Sequence, residues 1–254
     1  MKIKQLILIS IVSIPLLGSA QDLTNWQVGV NVTPFIFTRF SPDFWPEKQG
    51  NNYPNGLGLG ITIEKNWNEN WGFKTGLEYT KQTEKYFADD NSADNTHIKS
   101  SFEYYKTPIT IQYSYPIKEK LFLTFNQGIQ FSFLKYYKMV EEGTYQKKTS
   151  TSDYEELIYY PNPANNHYYS GEGMLYSKTL VGLVGSIGLK YFIADKFSIT
   201  SNLRYEYDLT DADNLSYYKT DNWKPVHNFR LGLEIGIQYH FSIGDRFDSR
   251  PHKL

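Results

Sequence analysis

Eight ionisable side chains stand at alternate positions of otherwise apolar segments: Glu64, Lys74, Glu78, Lys190, Arg204, Glu206, Arg230 and Glu234. Four acids and four bases on one polar face could hand a proton or an ion along, with Arg204, Glu206, Arg230 and Glu234 as the steps of a gated path. The same set could instead neutralise itself as a structural network, because an isolated buried charge is prohibitively costly and a paired one tolerable. The equal numbers favour pairing.

Three other groups could carry chemistry. His227 with Asp208, Asp211 and Asp213 is the nearest approach to a hydrolytic cluster, a base beside carboxylates that could orient it. No nucleophile motif such as G-x-S-x-G stands beside it, so a non-catalytic role is expected. Asp89, Asp90 and Asp94 are hard oxygen ligands, yet their spacing is no EF-hand and lacks its glycine. A solvated acidic loop follows, with no metal and no cofactor. Tyr145, Tyr154, Tyr159, Tyr160, Tyr168 and Tyr169 share the segment 138–173 with Asn and Ser. That composition offers adaptable contact area at low entropic cost, a candidate surface for a protein or glycan partner. The alternative makes these tyrosines strand extensions above a membrane. The chain has no cysteine, which removes disulfides, thiol chemistry, cysteine zinc sites and a lipid-modified N-terminal cysteine together.

The elements that must position these residues are strands. From Phe229 to Phe241 every second residue is apolar, while Arg230, Gly232, Glu234, Gly236, Gln238 and His240 fill the gaps. A strict period of two marks a strand with two unlike faces. The alternation recurs eight times, near 26–38, 56–67, 71–87, 101–115, 121–137, 176–191, 197–208 and 229–241. Only a few residues connect the second strand to the third, the fourth to the fifth and the sixth to the seventh. The other connections take about a dozen residues or more, the longest being 138–173. Short turns at one end and long loops at the other are the polarity of a transmembrane barrel, with apolar residues turned to lipid and polar residues to an enclosed lumen. An even count of eight predicts an antiparallel up-and-down barrel, and eight strands leave an interior that side chains just fill. A plugged lumen is expected, not a pore.

Trp67, Trp71, Tyr115, Tyr191, Phe197, Tyr239, Phe241 and Trp26 flank the short turns with the parity of the lipid face, where an interfacial belt lies. Aromatic residues make up 17% of the chain, ordinary for a barrel with two such girdles. Pro34 and Pro108 conflict with a closed sheet, since proline cannot donate to a ladder; bulges or strand ends are expected there.

Lys2 and Lys4 precede an uncharged apolar run from Leu6 to Leu17 and the small residues Gly18, Ser19 and Ala20. Residues 1–20 therefore read as a cleavable secretory signal, and 21–254 as one barrel domain. The run of 12 residues is short for a spanning helix, which needs roughly 20. Loss of Lys2 and Lys4 takes the net charge from -1 to -3, no invitation to nucleic acid.

The signal segment, the opening Trp26-Gln27-Val28-Gly29-Val30, the stretch Tyr104-Tyr105-Lys106-Thr107-Pro108-Ile109-Thr110-Ile111, the glycine-punctuated 182–191 and Leu231-Gly232-Leu233-Glu234-Ile235-Gly236 resemble the small outer-membrane β-barrels grouped as PorT-like, within the eight-stranded OmpA-type architecture. The resemblance spans the whole mature chain. It implies an integral outer-membrane protein embedded in lipid, without a cofactor, and in some relatives a part in secretion or surface assembly. The chain departs from it by continuing thirteen residues past Phe241, where such barrels often stop. An outer-membrane hydrolase with a rim active site and a soluble periplasmic ligand-binding barrel are the competing expectations.

Overall fold

The computed structural model describes residues 26–40, 55–89, 95–142, 146–159, 167–169, 175–213 and 225–241. The signal segment and the tail past Phe241 lie outside the described residues. Eight long strands form the wall: β1 (Trp26–Phe40), β2 (Asn55–Asn66), β3 (Trp71–Asp89), β4 (Asn95–Lys118), β5 (Leu121–Glu142), β9 (Thr179–Ala194), β10 (Phe197–Asp208) and β11 (His227–Phe241). Each is hydrogen-bonded to its sequence neighbours in the wall. β4 pairs with β5, β5 with β9, and β1 with β11 from Trp26↔Phe241 to Phe40↔His227, which closes an antiparallel barrel. The expected up-and-down topology is the observed one.

Side-chain parity follows the sequence alternation. Leu59, Ile61, Leu77, Ile111, Ile187, Leu203 and Ile237 face outward and exposed, whereas Arg230 and Glu78 are 1% and 3% exposed inside. A water-soluble barrel would reverse this; hydrocarbon outside and a polar interior is the arrangement of a membrane barrel. The short turns are tight: the Asn68 side chain accepts from the backbone N–H groups of Asn70 and Trp71 at 3.0 and 2.7 Å, holding the β2–β3 turn in a side-chain-capped form.

Three features depart from the expected plan. The segment 138–173 is not a plain loop. Its first residues continue β5, and β6 (Gln146–Thr151), β7 (Glu155–Tyr159) and β8 (His167–Tyr169) form a meander hydrogen-bonded to the upper part of β5. The second is a bulge: Glu103 pairs with Tyr136 but Tyr104 with Leu134, so Lys135 is an extra residue in β5. Below it the even residues of β5 point inward, and above it Tyr137 does. The third concerns the prolines, which lie in mid-strand and not at a bulge or an end. The β3–β4 ladder skips the rows around Pro108 and Gly76 without changing register, and the β1–β11 ladder does the same beside Pro34. The Thr75 hydroxyl donates to the Pro108 carbonyl at 2.9 Å across the gap. Two strands thus tolerate a missing N–H because only one of their two ladders loses a bond.

Several inward glycines are forced by close approach of neighbouring strands. A Cβ at Gly128 would lie 1.9 Å from the Ile109 carbonyl oxygen, and one at Gly76 2.3 Å from that of Ile61. Backbone cannot give way there, so a small, strongly coiled barrel needs glycine at these positions.

Candidate functional site

The lumen is stacked in layers, and each layer is set by which residues of the eight strands fall at one height. At mid-height β10 presents Arg204. Its guanidinium lies 2.7 Å from Glu78, 2.9 Å from Glu206 and 3.0 Å from Glu234, and donates to the Gln130 amide oxygen at 2.9 Å. The Glu78 contact is a charge contact without hydrogen-bond alignment. Towards the short turns, Glu64 pairs with Lys190 at 2.8 Å and Lys74 at 3.7 Å and accepts from the Gln238 amide. Lys74 also reaches Glu234 at 2.9 Å, which links the two layers. All eight residues anticipated from parity are therefore buried together in one network.

Two further members join it: Lys106, which the sequence reading passed over, and Asp208, which it grouped with His227. Lys106 is fully buried and donates to Glu206 at 2.7 Å. Asp208 accepts from Arg230 at 3.2 Å and from Asn228 at 2.8 Å. With them the network holds five acids and five bases. The parity of Lys106 with Thr110 and Gln112 was available, but Phe102 and Tyr104 share that parity and blur the polar signal.

Above the charges the lumen turns aromatic. Phe35, Phe37, Phe102, Tyr104 and Tyr137 point inward and are buried. The Arg230 guanidinium lies 5.5 and 5.6 Å from the Phe37 and Tyr104 ring centres, and the Lys106 ammonium 5.4 Å from that of Phe35, so cations join the two layers through ring faces. Chain from outside the barrel wall completes the cap. Leu175, Tyr176 and Ala212 are buried in it, and Tyr176 packs edge-on against Phe102 and Tyr137 at 4.8 and 4.9 Å. The Ser177 N–H donates to the Ala212 carbonyl at 2.9 Å, and the Asp211 carboxylate accepts from the N–H groups of Asp213 and Val226. Arg39 fastens this cap to the wall: it pairs with Glu84 at 3.5 Å and with Asp213, and lies 5.2 Å from the Tyr176 ring. Burial pushes the Asp213 carboxyl up in spite of Arg39, and pushes the Tyr176 hydroxyl up to about 12.

At the opposite end Phe122 and Phe192 close the floor, with the His240 ring 4.7 Å from Phe192 and its Nε2 2.8 Å from the Ser198 hydroxyl. One pocket in the barrel wall, of about 20 Å³, is bordered by Asn31, Thr62, Lys74, Glu78, Arg204 and Glu234. That is the scale of a single water.

The remaining candidates separate. His227 Nδ1 contacts the Asp208 backbone carbonyl at 3.0 Å, not a carboxylate, and Asp208, Asp211 and Asp213 are engaged as described. They do not converge on His227. Asp89 ends β3, while Asp90 and Asp94 lie outside the described residues; among the described residues no three His, Asp or Glu side chains could hold a metal ion. Tyr145 and Tyr160 lie outside the described residues. Tyr154 sits in the β6–β7 turn, Tyr159 ends β7, and Tyr168 and Tyr169 belong to β8.

No curated protein matches the chain. Among solved structures it is similar to the outer membrane protein OprG from Pseudomonas aeruginosa (10% identity, 88% of this chain and 99% of that one, TM-score 0.49). It is also similar to Neisserial surface protein A (12%, 85% and 97%, 0.43) and to a major outer membrane protein from Thermus thermophilus (10%, 85% and 99%, 0.43). The model of the family described as "Outer membrane protein beta-barrel domain" matches residues 6–241. The strand plan, the lipid-facing wall and the span of that match lead to one assignment: the chain belongs to the outer-membrane β-barrel domain family, and its place is the outer membrane.

Proposed function

We propose that the protein is a non-catalytic outer-membrane barrel with a closed lumen, acting as a structural or surface-interaction protein, in the way some PorT-like proteins serve secretion or surface assembly. What supports this reading is the balanced charge network and the aromatic cap above it. Five acids and five bases paired with one another hold their charges in place, whereas an ion path needs groups that release what they bind. The work of such a barrel falls to its outer end, where the segment 138–173 carries Tyr145, Tyr154, Tyr159, Tyr160, Tyr168 and Tyr169 as the candidate surface for a protein or glycan.

Planar-bilayer recording tests the closed lumen. Purified barrel inserted in the bilayer is expected to show no single-channel steps above the lipid background, and stable steps from the unmodified protein would overturn the reading. Export through a signal peptide is part of the same proposal. The N-terminus of protein isolated from membranes is expected to be Gln21; a mature chain beginning at Met1 would refute it.

A further inference from the structure

The outer wall formed by β3, β4 and β5 carries a feature that neither the lumen nor the meander uses. On its lipid side two tyrosines, Tyr79 and Tyr105, stand opposite each other with ring centres 5.7 Å apart. Trp71 and Tyr113 form the matching pair near the short turns, at 4.9 Å. Eight residues of β3 separate the two pairs; at about 3.4 Å per residue and a tilt of about 40° this is roughly 20 Å of height, close to the ~25 Å apolar band of such barrels. The Tyr79–Tyr105 pair therefore marks the outer interface, and what lies beyond it on the same face meets lipid headgroups.

What lies beyond it is lysine. Lys81, Lys85, Lys99, Lys135 and Lys138 are exposed there, around the carboxylate of Glu103. Glu103 lies 3.4 Å from Lys81 and 3.5 Å from Lys135, which occupies it fully. Lys135 is the bulge residue. It faces outward, 5.2 and 5.8 Å from the Tyr79 and Tyr105 ring centres, and the parity reversal above the bulge turns Lys138 outward as well. Higher up, Lys85 and Lys99 are direct cross-strand partners, and among the described residues no carboxylate pairs with either. Like charges set directly opposite destabilise a sheet. Further up the same face stands Glu142, opposite His97 and two residues along β5 from Lys99's partner Val140, and it pairs with Lys147 at 3.9 Å.

We propose that this wall binds the phosphate groups of an anionic lipid in the outer leaflet, with Lys85, Lys99 and Lys138 on the phosphate and Lys135 and the tyrosine pair at the junction of headgroup and acyl chains. Charge complementarity and height select the occupant: a phosphorylated lipid is the one polyanion that must stand at this level beside an apolar band. The site is independent of whether the lumen is closed.

The test uses the full mature chain folded in neutral detergent, with diphosphoryl lipid A as probe and its dephosphorylated form as comparison. The wild type is expected to retain the diphosphorylated lipid, and removal of the phosphates to weaken retention about tenfold or more. The fourfold variant Lys85→Gln, Lys99→Gln, Lys135→Gln, Lys138→Gln should lose the same factor. The corresponding fourfold arginine variant should keep it, and Lys118→Gln with Lys120→Gln and Lys196→Gln at the other end should change nothing. Heat-modifiable gel migration establishes that each variant is folded. Equal retention of the two lipids, or no loss in the glutamine variant, would overturn the proposal. So would displacement of the lipid by a soluble heparin oligosaccharide that binds the wild type equally well without lipid, which would assign the patch to a polyanion outside the membrane.

Discussion

Arg204 holds three carboxylates at once, and removing it tests the network at its centre. Arg204→Met leaves Glu78, Glu206 and Glu234 without their shared cation in a low-dielectric interior, and breaking a buried pair in this way costs about 3–5 kcal/mol. Urea unfolding in lipid should report that loss, and an unchanged midpoint would refute the central role. Asp213 behaves in the opposite sense. Its folded-state pKa is raised by burial, so the folded protein holds the proton more readily than the unfolded chain. The stability from this group is fully present below the unfolded value and is lost as pH rises through the folded one. Asp213→Asn, which mimics the protonated acid, is expected to leave stability at neutral pH equal or higher and to flatten its rise on mild acidification. A marked loss at neutral pH would show that the Arg39 pairing outweighs burial. At this scale the eight network residues were legible because parity alone assigns a side to every position of a regular strand. Lys106 and the inward aromatics were not: parity sends them inside, but the rule of a polar interior misreads phenylalanine and tyrosine there.

For the elements, strand existence and order were legible and strand irregularity was not. Alternation located all eight wall strands, and loop lengths gave their up-and-down order. The Lys135 bulge leaves no local mark in the sequence, because the residues on either side are aromatic or aliphatic and fit both parities. Its role can be isolated by deleting Lys135. Tyr136 would then follow Leu134 directly, opposite Glu103, and Tyr137 would stay opposite Phe102 and keep facing the cap, while the cation beside Tyr79 and Tyr105 is lost. The deletion is expected to yield an inserted barrel whose cap resists protease as the wild type does. A cap newly open to protease would mean that the bulge itself is needed to seat Tyr137. The meander β6–β8 was hidden for a different reason: its strands are six, five and three residues long, too short for an alternation to show, and β6 is polar throughout, so in sequence they look like loop.

Taken as a whole, the molecule is one sheet whose first and last wall strands join each other, and this can be tested by shortening it. A chain ended after Asp208 keeps seven wall strands but lacks β11, leaving β1 and β10 each with an unpaired edge. Such a chain is expected to migrate in gels at one position whether heated or not, while the full chain shows two. A heat-modifiable truncated form would mean that β1 and β10 can close a smaller ring. The five-to-five charge balance works at the same scale, since it concerns a sum over strands and not any one pair.

The β1–β11 seam also governs timing. Trp26 and Phe241 are some 215 positions apart, yet the entropy of joining distant ends grows only logarithmically, so separation itself is a minor obstacle. Order of arrival is the major one. The opening strand emerges first from the export channel and must wait, with one flank unsatisfied, until the final strand is delivered. During that interval its best available partner is the corresponding strand of another molecule. Escort by a holding factor during transit is thus built into the topology, and the yield of correctly sealed barrels should fall with the concentration of unescorted chains.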